Sequence, residues 1–201
     1  MGEGVQKCAP SFLWSKRIYI IDLFYKKGGY SMRVIGIDAS TKKTGVCLFD
    51  DGKYIEHILI DYHKTKDVYE RIPKMTSEIC EYIASVMPVD KIVMEESVLR
   101  SNIDTVKKLS FLMGGIILYA YQNNIEFCHT LPSEWRRKVG LQQSSKIKRE
   151  VLKAEAIQAV RQEYLIDATD DESEAILIAR SAFDLPKIIV DQNEMEYWGC
   201  D

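Results

Sequence analysis

Apolar residues recur at two different spacings along this chain, and the switches between them mark out its elements. Residues 33–38, 44–49 and 54–61 are short apolar-rich runs joined by tight turns, the clearest at Asp50-Asp51-Gly52. They predict three successive strands. Val68, Ile72, Met75, Ile79, Ile83 and Val86 then fall at helical spacing, which predicts an amphipathic helix over 67–86 stopped by Pro88. Residues 91–95 read as a short buried strand. A second helix is expected over 103–123. Its internal Gly114-Gly115 costs about 1 kcal/mol per glycine relative to alanine, and tight contact with the sheet is the favoured explanation. A fifth strand follows at 125–130, then a short helix from Pro132-Ser133 to Lys138 ended by Gly140. Long helices are expected at 146–164 and about 170–184. Three meandering strands followed by alternating helices and strands predict an α/β fold. Its sheet is mixed and five-stranded, three antiparallel strands with two parallel additions, flanked by helices.

At 201 residues and 46% hydrophobic, the chain suits one soluble domain with a sizeable core. No apolar run is long enough to span a bilayer, and no membrane partner is expected. The five cysteines, Cys8, Cys47, Cys80, Cys128 and Cys200, are odd in number, scattered, and form no Cys-x-x-Cys pair. They read as reduced thiols of a cytoplasmic protein, neither a disulfide framework nor a zinc site. His57, His63 and His129 do not cluster with them.

The first 31 residues have no clear periodicity, and Asp22 breaks their short apolar stretch, so they are not a signal peptide. Lys26-Lys27-Gly28-Gly29-Tyr30-Ser31-Met32 can be encoded by a purine-rich, ribosome-binding-type string ending in ATG. This leads to the expectation that Met32 opens the domain and that 1–31 is an extension of translated leader. A genuine N-terminal arm is the alternative. Residues 186–201 are left as a tail.

The net charge of −3 suggests no partner by itself, but its distribution does. Residues 132–153 carry Arg136, Arg137, Lys138, Lys146, Lys148, Arg149 and Lys153 against only Glu134 and Glu150. Residues 163–201 carry eleven acids against Arg180 and Lys187. A basic segment beside an acidic one fits a protein that holds a polyanion near bound cations.

The acids that matter stand at element ends. Asp38 ends the first strand and opens the polar turn Ala39-Ser40-Thr41-Lys42-Lys43-Thr44-Gly45. Glu95 ends the fourth strand, with Glu96 pointing to the opposite face. In Thr169-Asp170-Asp171-Glu172-Ser173-Glu174, a capping box between Thr169 and Glu172 and the helix dipole account for Asp170 and Glu172. They do not account for Glu174, which lies deeper; Asp171 and Glu174 stand at i and i+3 on the apolar face that continues through Ala175, Ile178, Ala179 and Ala182. Acids on an inward face are costly without a partner. A hard divalent cation is the natural one. Two such ions about 3.5–4 Å apart can activate water, neutralise phosphoryl oxygens and assist the leaving oxygen in phosphodiester cleavage.

These segments, in this order and on these elements, resemble the RuvC Holliday-junction resolvases of the ribonuclease H-like superfamily. The resemblance runs through Ile35-Gly36-Ile37-Asp38 with Thr44-Gly45, Met94-Glu95-Glu96, and Asp171-Glu172-Ser173-Glu174-Ala175-Ile176-Leu177-Ile178-Ala179. It covers Met32 to about Leu185 and is nearest the phage-type and Gram-positive members, where Pro132-Ser133-Glu134-Trp135-Arg136-Arg137-Lys138 also has a counterpart. It implies catalytic, metal-ligating acids at Asp38, Glu95, Asp171 and Glu174. It also implies two Mg²⁺ or Mn²⁺ ions per site, a homodimer, and branched DNA (the four-way junction) as substrate. Glu174 departs from the aspartate usual in bacterial enzymes, and Val98 stands where those enzymes carry an aromatic wedge. Arg100, Lys107 and Lys108, with Arg136, Arg137, Lys138, Lys146, Lys148, Arg149 and Lys153, are the expected DNA-backbone contacts. Trp135 is expected in the core, with base stacking the alternative. An RNA-cutting nuclease of the same superfamily and a non-catalytic DNA-binding module are the competing functions. An actin- or sugar-kinase-type ATPase needs a longer, two-domain chain.

Overall fold

The computed structural model describes residues 31–96, 103–144 and 146–190. Five strands run in chain order: β1 (Arg33–Asp38), β2 (Lys43–Asp50), β3 (Lys53–Asp61), β4 (Lys91–Glu95) and β5 (Glu126–Thr130). They form one sheet in the order β3-β2-β1-β4-β5. β1, β2 and β3 pair antiparallel, and β4 and β5 add in parallel, as expected. The helices are α1 (Val68–Ser85), α2 (Ile103–Gln122), α3 (Pro132–Val139), α4 (Arg149–Tyr164) and α5 (Asp170–Arg180).

Alternation along the strands sorts the core into two layers. Ile35, Ile37, Val46, Leu48, Ile92 and Met94 pack with the buried faces of α1 and α2, namely Ile72, Met75, Ile79, Leu112 and Ile116. Val34, Cys47, Phe49 and Val93 face the other way, onto Trp135 and Val139 of α3, Ala156, Ala159 and Val160 of α4, and Ala175 to Ala179 of α5. Asp38 and Glu95 share the parity of Val34 and Val93, so both belong to the face that carries α3, α4 and α5.

Helix α5 lies unusually close to the strands because two glycines face it. A Cβ at Gly36 would stand 2.4 Å from the Ala175 carbonyl oxygen and 2.5 Å from the Ala179 nitrogen. One at Gly45 would stand 2.1 Å from the Asp171 carbonyl oxygen. Gly36→Ala is therefore expected to lower stability by about 1–3 kcal/mol, the usual cost of overpacking, read as a lower urea midpoint with an unchanged slope.

Two helix boundaries, the extent of the packed core and one glycine contact differ from the sequence reading. Helix α4 starts at Arg149 with Lys148 as its cap, not at 146. Upstream, Ser144 accepts from Lys146 N–H through its hydroxyl and from Ile147 N–H through its carbonyl, a local turn that competes with helix. Helix α5 stops at Arg180 rather than 184. There the Arg180 guanidinium donates to the Pro186 carbonyl at 2.7 Å and folds the following chain back. The packing also runs past 185, since Ile188 is buried in the core and donates its N–H to Val139. Finally, the paired glycines of α2 do not touch the sheet. Gly115 meets Thr76 of α1, and Gly114 faces open space.

Residues 1–30, on which the leader expectation rests, lie outside the described residues. Cys47, Cys80 and Cys128 are free thiols. Among the described residues no helix is long and apolar enough to cross a membrane.

Candidate active site

The two central strands deliver two acids to one end of the sheet. In the ladder, Asp38 stands opposite Gly45 on β2. On its other side Ile37 pairs with Met94, which places Glu95 beside Asp38. Thr44, fully buried, fixes the turn that leaves Asp38. Its hydroxyl donates to the Ser40 carbonyl at 2.7 Å and accepts from the Ser40 N–H at 3.1 Å.

The third and fourth acids arrive on α5. The expected capping box is present. Thr169 Oγ1 accepts from Glu172 N–H, and Glu172 Oε2 accepts from Thr169 N–H at 2.8 Å. Glu172 also stands 3.5 Å from His57 Nε2 on β3, which ties the start of the helix to the sheet. The Asp171 backbone sits directly over Gly45, and Gly45 is the cross-strand partner of Asp38, so main-chain contact holds the start of α5 close to Asp38.

The electrostatics agree with this convergence. Burial raises the Asp38 pKa well above the usual carboxylate range, and Glu174, Glu95 and Asp171 each push it further, with Lys153 opposing. Glu95 is raised to about 7, chiefly by burial, with Glu174 adding and a hydrogen bond from Trp135 opposing. Asp171 is raised by burial and by Asp170. Glu174 is raised by burial, with Lys153, Arg136 and Arg149 opposing. Asp38 thus lies within electrostatic reach of the other three acids. Glu96, as expected, turns away from them and lies 3.7 Å from His129.

Among the described residues, no three Asp, Glu, His or Cys side chains already stand in the arrangement of a metal cage. The donors nevertheless fit a hard divalent cation in kind. All are carboxylate oxygens, they repel one another, and burial denies them the water that would otherwise screen that repulsion.

The basic residues divide into two groups. Arg137, Lys138, Lys107, Lys146, Lys148 and Arg149 are exposed, as phosphate contacts need to be. Lys108 is partly buried and paired with Asp104. Arg136 is a correction. It is 2% exposed, and its guanidinium pairs with Glu155 at 2.6 Å, donates to the Gln142 and Leu152 carbonyls, and lies 3.8 Å from Glu174. A fully engaged interior guanidinium has no fork left for a DNA phosphate. Lys153 also moves inward. It pairs with Asp170 at the start of α5 and acts on Asp38, Asp171 and Glu174. Arg100 and the wedge position Val98 lie outside the described residues.

Trp135 is wholly buried, which removes it as a base-stacking platform. Its Nε1–H donates to Glu95 Oε2 at 2.6 Å. Sequence reasoning missed this contact, as it missed Thr44 and the inward role of Lys153. Glu95 and Trp135 are 40 residues apart, and nothing local marks them as partners.

Comparison with protein-family models and with curated proteins finds no match to this sequence. Solved structures do match. Thermus thermophilus RuvC in complex with a Holliday junction superposes with a TM-score of 0.61 at 14% identity, over 75% of this chain and 92% of that one. A second Thermus thermophilus RuvC structure gives 0.59 at 14% identity, with the same coverage. The yeast mitochondrial Holliday junction resolvase Ydc2 gives 0.50 at 18% identity, over 83% of each chain. The fold is therefore the one seen in these resolvase structures.

Proposed function

We propose that this protein is a metal-dependent endonuclease that hydrolyses phosphodiesters in branched DNA, four-way junctions first among them. The observation that carries this reading is the carboxylate cluster. β1, β4 and the start of α5 carry these acids to one end of the sheet, where burial first, and then Glu174, Glu95 and Asp171, push Asp38 toward protonation. The likeness in fold to two resolvases supports the choice of substrate.

Asp38, Glu95, Asp171 and Glu174 would hold two Mg²⁺ or Mn²⁺ ions, which supply water activation, charge neutralisation and leaving-group assistance. Lys153 contributes a fixed positive charge beside Asp170. Arg149 extends that charge outward, and Lys146, Lys148, Arg137, Lys138, Lys107 and Lys108 carry it along the path of the DNA backbone, with Arg100 as a further contact. Lys148→Ala is expected to weaken junction binding without changing site preference. It should lower the slope of log affinity against log salt by about 1, the loss of one phosphate contact, as read by fluorescence anisotropy across a salt series.

A second copy of the chain completes the reading, because paired sites are needed to cut strands related by symmetry. Phe111, Gly114, Leu118 and Tyr121 form one stripe along α2. The three large side chains are 56%, 56% and 74% exposed, with Tyr69 of α1 exposed beside them. Gly114 in the middle of that stripe leaves room for a close helix crossing. We assign the protein to the phage-type and Gram-positive branch and place it in a reducing cytoplasm, consistent with the free thiols.

The test is nicking of a synthetic four-way junction with Mg²⁺ and with EDTA, beside linear duplex and structured RNA. Symmetric, Mg²⁺-dependent nicks in the junction are expected. Preference for RNA, or junction binding without cleavage in Mg²⁺ and Mn²⁺, would refute the reading.

A further inference from the structure

Consecutive residues on α3 reach two different acids of the cluster. Trp135 donates to Glu95 of β4 at 2.6 Å, and Arg136 stands 3.8 Å from Glu174 of α5. Both are interior, at 0% and 2% exposure. The geometry points to α3 as a clamp. Trp135 and Arg136 are positioning residues that set the separation and orientation of Glu95 and Glu174 before any cation binds. This inference rests on the cation reading proposed above.

Three features support a clamp over simple filling of the core. First, the acceptor of the indole N–H is a carboxylate at the end of β4, where a backbone carbonyl would have satisfied the same donor. An indole does not ionise in the working pH range, so this bond survives changes that would break an ion pair. It engages Oε2 of Glu95 and so restricts how the carboxylate can turn. Second, Arg136 is itself immobilised. Its Nε donates to the Gln142 carbonyl at 2.8 Å, and its Nη2 donates to Leu152 at 3.1 Å and to Glu155 at 2.6 Å. Glu155 in turn accepts from the Gln142 N–H at 3.1 Å. The guanidinium also lies 5.1 Å from the Trp135 ring centroid, so the two holders brace each other. Third, α3 is short and closed at both ends, by the capping contacts of Glu134 and by Gly140, so neither holder can slide along it. Partners that orient metal ligands typically contribute 10–100-fold to metal affinity.

The test is Trp135→Phe, which keeps most of the ring and removes the N–H. Bound Mn²⁺ is counted by electron paramagnetic resonance on DNA-free protein, so the readout does not require cleavage. A 10–100-fold weaker Mn²⁺ affinity is expected. In a Glu95→Gln background the same Phe substitution should change affinity by less than about twofold, because its route to the ion is already cut. Unchanged Mn²⁺ affinity in Trp135→Phe, or an equal loss in both backgrounds, would overturn the clamp.

A second measurement leaves position 135 intact. With Trp14 and Trp198 replaced by phenylalanine, Trp135 is the sole tryptophan. Its emission should shift along the Mg²⁺ binding curve, and emission that stays flat through saturation would likewise overturn the clamp. Wild-type protein that takes up no Mn²⁺ at all would overturn the cation reading and this inference with it.

Discussion

Asp38→Asn is expected to abolish junction cleavage, a fall on the order of a thousand-fold or more, while raising the melting temperature of the metal-free protein. The first effect follows from the place of Asp38. Burial raises its pKa most, and Glu174, Glu95 and Asp171 each push it further. If Asp38 holds the ions as proposed, its loss removes the several kcal/mol that they would contribute to the transition state, and about 4 kcal/mol corresponds to three factors of ten in rate. The second effect follows from the same crowding. An amide has nearly the same shape and carries no charge, so burial no longer opposes it and Glu174, Glu95 and Asp171 no longer repel it. In a chain of this size each 1 kcal/mol gained appears as about 2–4 °C in the melting point. Single-turnover nicking with saturating Mg²⁺ and thermal unfolding in EDTA read the two effects separately. Near-native nicking would remove Asp38 from the site, and a lowered melting point would remove the repulsion.

The metal-free protein should also lose stability as pH rises through neutrality, contrary to the usual behaviour of carboxylate-rich domains. Glu95 titrates at about 7 in the folded chain against an ordinary 4.5. A carboxyl raised on folding keeps its proton longer in the native state, so its contribution is complete below about pH 4.5 and disappears as pH climbs through 7. For Glu95 alone this amounts to about 3 kcal/mol. Asp38, Asp171 and Glu174 are shifted in the same direction and deepen the loss. Asp61 runs the other way. Hydrogen bonds from His63 hold it at about 2, but its contribution is lost only in strong acid, outside this window. Urea midpoints in EDTA should therefore fall between pH 5 and 8. Mg²⁺ at a hundred times its dissociation constant should restore about 2.7 kcal/mol at the alkaline end. A flat or rising EDTA profile would mean that the acids are not crowded.

The elements were legible because each strand and helix keeps a clean period. Val34 to Ile37 and Ile92 to Met94 read as buried strands, and Val68 to Val86 reads as one helical face. The four acids stand out in the sequence for a related reason. Each stands where an apolar pattern ends on a charge or, for Asp171 and Glu174, where a charge interrupts an inward face that the capping box does not explain. What stayed hidden depends on contacts remote in sequence. Arg136 looks like any other cation in a basic run, and only Glu155, Gln142 and Leu152 show it to be interior. Trp135 carries no local mark of its bond to Glu95. The true start of α4 was obscured because Lys146 and Ile147 continue the helical composition, while the Ser144 turn that overrides it is a matter of hydrogen bonding.

The contact of α5 with Gly36 and Gly45 bears on how this arrangement of acids tolerates mutational drift. Main-chain atoms are the same whatever residues surround them. A helix seated on bare backbone keeps its height above the strands while the aliphatic padding on either side is exchanged. Gly36 and Gly45, both lacking a side chain, carry that seat. Exchange within the padding can then run deep while the helix keeps its place on the sheet.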